Sequence, residues 1–296
     1  MISNPAVSVR GRPAEVRGAR GFRNAFWYLG MTLLVVGFFF PYFWTVSSSL
    51  KQPSELFTFP PAMLPAVPQW HNYAKVFEAV PFLAWTWNTV FVAVLGTLGR
   101  LISASLAAFA FARAEFRGKN LLFMITLGTM MLPVQVTLIP QYVLFNELGW
   151  INTLLPLWVP AWFGGGAFAI FLLRQFMMTI PKELDEAAII DGASYVRIFW
   201  TIVMPLCTAA LATLAVISLI GSWNAFLEPL LYLRSAKLFT IAVGLNFFRA
   251  KPELGGLPTQ HLLMAASVMS TLPLIVLFFS AQKYFVQGIA LTGIKG

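Results

Sequence analysis

The sequence predicts an all-α integral membrane protein with six transmembrane helices. This prediction rests on its composition, its long uncharged segments and the distribution of its basic residues. Of its 296 residues, 58% are hydrophobic and only 10% are charged. Soluble domains carry roughly 45–50% apolar and about 25% charged residues. A chain this apolar cannot cover its surface with polar groups, so it needs lipid as its solvent. The one cysteine, Cys207, excludes an intramolecular disulfide framework and a cysteine-rich metal site.

Six segments of the chain are long enough to cross a bilayer, which takes about 20 mostly apolar residues. Five intervals contain no Lys, Arg, Asp or Glu, namely 24–50, 121–146, 148–173, 198–227 and 254–282, and the segment 81–112 is interrupted only by Arg100. We expect the spans at residues 25–47, 84–112, 121–144, 153–177, 202–226 and 263–283.

The basic residues indicate which side of the membrane each loop faces. Thirteen of the 20 Lys and Arg residues fall in the termini and loops of one side, six fall on the other side, and Arg100 lies within a span. Because cytoplasmic loops carry an excess of Lys and Arg, we expect both termini in the cytoplasm. Five arginines directly precede the first span, which favours an anchor on anionic membrane lipid over a nucleic-acid patch. They are Arg10, Arg12, Arg17, Arg20 and Arg23.

These boundaries divide the chain into four parts. We expect a basic cytoplasmic tail at 1–24, the first transmembrane helix with an external loop at 25–83, a transmembrane core at 84–283 and a cytoplasmic C-terminal tail at 284–296. The external segments 51–80 and 230–260 leave two interpretations open. Either segment contacts an external partner, or it is an ordinary connecting loop.

The loop between the fourth and fifth spans, residues 178–205, predicts a short helix at its start. Pro181 suits the first position of a helix, where its missing N–H costs nothing. Negative charge in the next turns matches the positive end of the helix dipole. The acidic residues concerned are Glu183, Asp185 and Glu186.

A glycine then joins this helix to a second one. Gly192 suits a helix end that needs positive φ, and Ser194 suits the N-cap of a helix over 195–201. The product is an elbow on the cytoplasmic side. From the pattern alone the elbow is either an amphipathic segment at the membrane interface or, because Ala187 and Ala188 are small, a surface that another protein approaches closely.

The same loop resembles the EAA motif of permease subunits of binding-protein-dependent ABC importers. That motif reads Glu-Ala-Ala, three residues, Gly, nine residues, Ile, any residue, Leu, Pro. Here it is formed by Glu186-Ala187-Ala188, Gly192 and Ile202-Val203-Met204-Pro205. Met204 replaces the usual leucine, a change that conserves side-chain volume.

Further segments resemble the carbohydrate-uptake branch of this family, the MalG-like maltose permease subunits. The resemblance covers residues 27–296. Its segments are Asn88-Thr89, Ala107 to Arg113, Phe116-Arg117-Gly118, Met131-Leu132-Pro133, Trp223-Asn224, Val286-Gln287-Gly288 and Thr292 to Gly296.

The resemblance implies a type I ABC importer permease fold, with 84–283 as the ABC transmembrane type-1 core and the loop at 181–205 as a coupling-helix elbow. It implies that the chain forms half of the pathway for a sugar or related polyol across a prokaryotic inner membrane. The implied partners are a homologous second permease, two copies of a cytoplasmic ABC ATPase that hold ATP and magnesium, and an external solute-binding protein. The positions that it assigns to ATPase docking are Glu186, Ala187, Ala188, Asp191 and Gly192.

The sequence offers no catalytic constellation. It contains no Gly-x-x-x-x-Gly-Lys-Ser/Thr phosphate loop, so we expect neither ATP hydrolysis nor a cofactor in this chain. The two histidines, His71 and His261, have no Glu, Asp or Cys at metal-ligand spacing. The alternative function is a self-sufficient secondary transporter or channel. It calls for coupling-ion carboxylates at the membrane midplane, and the cores of the predicted spans contain no acidic residue.

Five residues in or near the spans are candidates for a substrate pathway. Arg100 is costly in a membrane unless it faces protein or water, so it lines the pathway, pairs with another subunit, binds neighbouring carbonyls or snorkels. Gly165, the middle one of three consecutive glycines, either bends the fourth span or lets a backbone approach closely. Trp162 offers an aromatic face to a sugar, and Gln135 and Asn224 offer hydrogen bonds. Packing between helices is the alternative for these three.

Overall fold

Helices make up nearly all of the fold. The computed structural model describes residues 15–250, 253–254 and 257–293. In chain order the α-helices are α1 (Glu15–Ser49), α2 (His71–Ala79), α3 (Phe82–Arg113), α4 (Lys119–Gly128), α5 (Val134–Glu147), α6 (Leu155–Trp158), α7 (Ala167–Met177), α8 (Glu183–Ile190), α9 (Tyr195–Ile198), α10 (Met204–Leu206), α11 (Thr208–Trp223), α12 (Leu227–Tyr232), α13 (Ile241–Arg249) and α14 (Gln260–Gly293). The shorter elements are 3₁₀ turns at Pro53–Phe57, Thr129–Met131, Val159–Trp162 and Ala236–Leu238, a π-helical segment at Phe199–Val203, and an antiparallel pair of strands, β1 (Glu253–Leu254) and β2 (Leu257–Pro258).

The six predicted crossings are recovered when each of two bent helix pairs is counted as one span. Four helical stretches of the described chain are long and apolar enough to cross a membrane by themselves, and they agree with the predicted positions. They are Phe26–Ser49, Phe82–Arg113, Leu155–Met177 and Gln260–Gln282. The predicted tails at 1–24 and 284–296 fall partly outside the described residues. Where they are described, α1 already begins at Glu15 and α14 continues to Gly293.

The predicted third span, 121–144, is wrong as a continuous helix. α4 with its terminal 3₁₀ turn meets α5 at an angle of 100°. Pro133 stands at the break and disfavours a helical conformation of the residue before it. Leu132 is accordingly extended, with ψ of 120°.

The predicted fifth span, 202–226, is wrong in the same way. The stretch 195–206 meets α11 at 76°. Pro205 supplies no N–H to the helix and its ring crowds the preceding turn, and the π-helical segment ends two residues before it. Cys207, at the bend, is fully buried, as a small apolar side chain is expected to be.

The fourth span is interrupted at its three glycines. α6 and a 3₁₀ turn lead to Phe163, and α7 starts at Ala167. Gly164, Gly165 and Gly166 have φ values of +110°, +67° and +89°, a region that only glycine enters freely. The glycines therefore separate the 3₁₀ turn from α7 within this span.

Apolar side chains form two buried clusters, one at each end of the bundle. The cluster beside α8 joins α3, α7, α9 and α11, and we call this the elbow end. Its fully buried members include Ala104, Ala108, Leu173, Met177, Ile198 and Val203. The cluster at the opposite end, the distal end, joins α2, α3, α11, α13 and α14 through residues that include Val76, Trp85, Trp223, Val243 and Ala265.

α1 lies at the edge of this bundle and packs against α14. Tyr42 and Thr271 share a hydrogen bond between their hydroxyl groups, 3.3 Å apart. The apolar side chains that α1 carries from Phe26 to Phe40 are exposed. In a membrane such a surface faces acyl chains or another apolar protein surface.

Candidate functional site: the elbow and a polar cavity

The first part of the elbow is α8, and its C-terminal cap follows the prediction. α8 begins two residues after Pro181, so the proline precedes the helix and the prediction that it occupies the first position is wrong. Gly192 has φ of +80°. Its N–H donates to the carbonyl of Ile189 at 2.9 Å, and the N–H of Ala193 donates to the carbonyl of Ala188 at 2.8 Å. This pair of hydrogen bonds closes the helix in the way that a left-handed glycine permits.

The second part of the elbow is α9 with the π-helical segment. The Ser194 hydroxyl caps α9 by accepting a hydrogen bond from the N–H of Arg197 at 3.3 Å, as the sequence predicts. The helix does not end near Thr201 but continues through the π-helical segment to Val203. The elbow is therefore joined directly to the bent fifth span.

Four of the five predicted docking residues are exposed at the surface of α8. They are Glu186, Ala187, Asp191 and Gly192, whereas Ala188 is half-buried and packs against the elbow-end cluster. Apolar side chains accompany the exposed acids, because Ile190 is 85% exposed and Leu184 is 43% exposed. α8 thus has one face on the bundle and one face that combines negative and apolar groups.

A buried ion pair fixes α8 to the end of α3. Nε of Arg113 lies 2.7 Å from Oδ2 of Asp185, and both side chains are largely buried. Nη2 of Arg113 also donates to the carbonyl of Ile180 at 3.0 Å. Sequence reasoning missed this pair. Asp185 stands between acids that are exposed, and nothing in the local pattern distinguishes it from Glu183 and Glu186.

A polar cavity of about 190 Å³ lies at the middle of α3 and the C-terminal end of α11. Arg100 lines it, together with Ser222, Glu228 and Thr240. Nε of Arg100 is buried and has no hydrogen-bond partner among the described residues. Glu228, on α12, lies close enough to act electrostatically on the guanidinium. The sequence did not suggest this acid as a partner, because α12 is brought beside α3 only by the tertiary fold.

The other pathway candidates lie in different places. The Trp162 indole covers Gly99 of α3 and donates to the carbonyl of Leu95 at 3.1 Å. Gly165 packs against α3 one turn further on, with Ala104 as its neighbour. Arg100, Trp162 and Gly165 therefore meet along one stretch of α3, but only Arg100 lines the cavity.

Two candidates are not brought to this stretch. Gln135 is exposed on α5. Asn224 donates from Nδ2 to the carbonyl of Ile220 in its own helix, at 2.9 Å. Within the part of the chain that the structure describes, no group of three His, Cys, Asp or Glu side chains is placed to hold a metal ion.

Comparison with known proteins places this geometry in a family. Residues 101–291 match the family described as binding-protein-dependent transport system inner membrane component. The chain is 33% identical over 271 residues to the trehalose/maltose transport system permease protein MalG of Thermococcus litoralis, a match that covers 90% of this chain and 95% of that protein. It is 34% identical over 227 residues to the arabinooligosaccharides transport system permease protein AraQ of Halalkalibacterium halodurans, covering 76% and 79%. It is 32% identical over 280 residues to the sn-glycerol-3-phosphate transport system permease protein UgpE of Yersinia pestis, covering 92% and 96%.

The fold also has a counterpart among solved structures. A chain of a bacterial ABC transporter involved in the import of the acidic polysaccharide alginate superposes with a TM-score of 0.81 at 24% identity, covering 94% of this chain and all of that one. A second crystal structure, of a bacterial alginate ABC transporter in complex with an alginate pentasaccharide-bound periplasmic protein, matches with a TM-score of 0.63 at 16% identity, over 88% of this chain and 94% of that one. The overall fold is thus a known architecture, and the chain belongs to the binding-protein-dependent transport system inner membrane components, as a permease subunit of an ABC importer.

Proposed function

We propose that this chain forms half of the transmembrane pathway of an importer for a sugar or related polyol. An external binding protein delivers the solute, and two copies of a cytoplasmic ATPase and a homologous second permease complete the complex. The single observation that carries the proposal is the capped and exposed α8 with its Glu186-Ala187-Ala188 sequence. The names of the trehalose/maltose and arabinooligosaccharide relatives support the solute class.

The exposed face of α8 suits docking to an ATPase subunit. Its acids offer charged hydrogen-bond acceptors, and Ile190 and Leu184 offer apolar area at the surface. Charged and apolar groups side by side are typical of a protein interface whose core is apolar and whose rim is polar. Glu186, Ala187, Ala188, Asp191 and Gly192 are the residues that we assign to this contact.

The proposed complex also implies an orientation of the chain in the membrane. The elbow and both termini lie in the cytoplasm, because the Lys and Arg residues concentrate on that side. ATP and magnesium are held by the ATPase subunits, since this chain carries no phosphate-binding loop. Closure of the ATPase pair then moves α8 as a rigid body, and α8 moves the spans.

Substitutions in α8 test the docking assignment. Glu186→Lys places a positive charge where we propose that a negative side chain meets a positive group of the ATPase. Gly192→Ala puts a Cβ on a backbone with φ of +80°. We expect both to reduce co-purification of the ATPase by roughly tenfold or more, the loss typical of a residue central to an interface. The measurement is the ATPase-to-permease ratio after affinity purification, together with solute uptake.

Two matched controls separate docking from folding. Glu78→Lys makes the same charge change on the exposed surface of α2, at the distal end. Gly118→Ala imposes a similar strain, because Gly118 has φ of +82° and open space around it. Full ATPase recovery and uptake with Glu186→Lys and Gly192→Ala would contradict the assignment. Uptake by this chain alone without ATP would favour the secondary transporter instead.

A further inference from the structure

The polar cavity beside Arg100 lies next to membrane-spanning helices, where charged side chains are rare. Its volume of about 190 Å³ is several times the roughly 30 Å³ that a water molecule occupies in the liquid. That is room for a few water molecules or for about one hydroxylated ring. Its lining residues are Val92, Arg100, Leu157, Gly221, Ser222, Ala225, Glu228, Pro229 and Thr240.

Polar atoms of this cavity have no partner within the described part of the protein. Nε of Arg100 and Oγ1 of Thr240 are buried and make no hydrogen bond there, and Thr240 is only 1% exposed. A buried polar group without a partner costs on the order of 1–3 kcal/mol, and more if it is charged. Such groups are retained where a water molecule or a solute satisfies them. An ionisable side chain within a membrane span also indicates a functional site by default.

The charges of the cavity define the solute that fits. Arg100 has only N–H donors and Glu228, when ionised, has only acceptors. A hydroxyl group donates and accepts, so a ring with neighbouring hydroxyls satisfies both side chains at once. An anionic solute gains from Arg100 but is repelled by Glu228, and a cationic solute meets the opposite balance. The lining carries one cation and one anion. A neutral hydroxylated solute can form hydrogen bonds with both and is electrostatically repelled by neither.

We propose that the Arg100–Glu228 cavity binds one neutral sugar or polyol ring during transport, and that Glu228 disfavours anionic solutes. The inference rests on the proposed function and deepens it by assigning a solute-contact site to this subunit.

Transport by the complete complex tests the site. Proteoliposomes contain this chain, its partner permease and the ATPase, and the binding protein supplies tritiated maltose, trehalose or sn-glycerol 3-phosphate. We expect Glu228→Gln and Arg100→Gln each to lower the number of disaccharide molecules imported per ATP hydrolysed by about tenfold or more. That is the loss that follows from one hydrogen bond to a charged group. ATP hydrolysis stimulated by the loaded binding protein should persist, because α8 is unchanged.

Equilibrium binding to the permease pair in nanodiscs gives a second readout. Glu228→Gln should raise the affinity for glycerol 3-phosphate relative to maltose, whereas Glu147→Gln, an exposed acid on α5 away from the cavity, should leave both affinities unchanged. Glu228 is exposed, so its substitution does not threaten folding and keeps the test interpretable.

The outcomes distinguish the site from the proposed function. Suppose that the wild-type complex imports maltose or trehalose, and that Glu228→Gln and Arg100→Gln import as many molecules per ATP hydrolysed. This result overturns the site and leaves the proposed function standing. A wild-type complex that imports glycerol 3-phosphate but neither disaccharide overturns the site alone, whereas uptake by this chain without ATP contradicts the proposed function.

Discussion

Arg113 and Asp185 form a contact whose two partners depend on each other. Both side chains are largely buried and their charged atoms lie 2.7 Å apart. Removal of one partner leaves an uncompensated charge inside the protein, which typically costs 3–5 kcal/mol. The pair therefore holds α8 against α3 only as long as both charges are present.

Asp185→Asn tests this dependence. We expect it to lower the free energy of unfolding by roughly 3 kcal/mol and to weaken uptake, because α8 loses its attachment to α3. Thermal unfolding of the purified protein in detergent measures the first effect. Glu115→Gln is the control, since Glu115 pairs with Lys119 at 3.3 Å on the surface, where such pairs contribute about 0–1 kcal/mol. Equal melting temperatures for the two variants would refute the role of the buried pair.

At the scale of one element, the three glycines of the fourth span differ in what surrounds them. A Cβ on Gly165 would lie 2.7 Å from Cβ of Ala104 and 2.8 Å from the carbonyl oxygen of Arg100. Gly164 and Gly166 have open space around them. All three have positive φ, and Gly165, at +67°, is nearest to the ordinary left-handed region.

Gly165→Ala should therefore destabilise the protein more than Gly164→Ala. Both substitutions carry the backbone strain of a left-handed residue, roughly 1–2 kcal/mol. Gly165→Ala adds overpacking against α3, typically another 1–3 kcal/mol. Because Gly165 has the less strained φ of the two, a lower melting temperature of its variant reports the packing against α3. A Gly164 variant at least as destabilised as the Gly165 variant would show that close approach to α3 is unimportant.

The helices also show which features of the fold can be predicted from the sequence. Composition and uncharged segments locate five of the six crossings to within about three residues, because the bilayer imposes one length on all of them. The helix pair of the fifth crossing starts at Tyr195, seven residues before the predicted span. The caps at Gly192 and Ser194 are local and were predicted. The bends near Pro133 and Pro205 were not, although both prolines are visible in the sequence. A proline kinks, breaks or is tolerated in a span according to what its neighbours supply, and that information lies in the tertiary packing.

The same limit applies to the candidate site. The five docking positions follow from one contiguous motif, so the sequence was sufficient to propose them. Arg100 can be identified from the sequence because it is a lone charge in an apolar segment. Glu228 is 128 positions away along the chain, just beyond the last uncharged residue of the fifth span, and no local pattern pairs it with Arg100.

At the scale of the whole molecule, the charge distribution predicts which end of the bundle faces the cytoplasm. Cys207 is fully buried, so the native thiol should not react with a membrane-impermeant thiol reagent. A cysteine placed at exposed Glu183, on the elbow, should be labelled in inside-out vesicles only. A cysteine at exposed Ser54, in the loop after α1, should be labelled only from the outside of intact cells. The reverse pattern would invert the proposed topology.

α3 carries Arg113 at one end and Arg100 thirteen residues earlier, a separation of about 20 Å along an α-helix. The helix runs for 32 residues without a proline, so its two arginines keep a fixed spacing. We therefore expect a movement of α8 that displaces Arg113 to be transmitted along α3 and to displace the Arg100 side of the cavity by a similar distance. α11, on the other wall, is joined to the elbow through a π-helical segment and a 76° bend, a softer mechanical connection. We therefore expect the two walls of the cavity to move by different amounts when the elbow moves, and the width of the cavity to change.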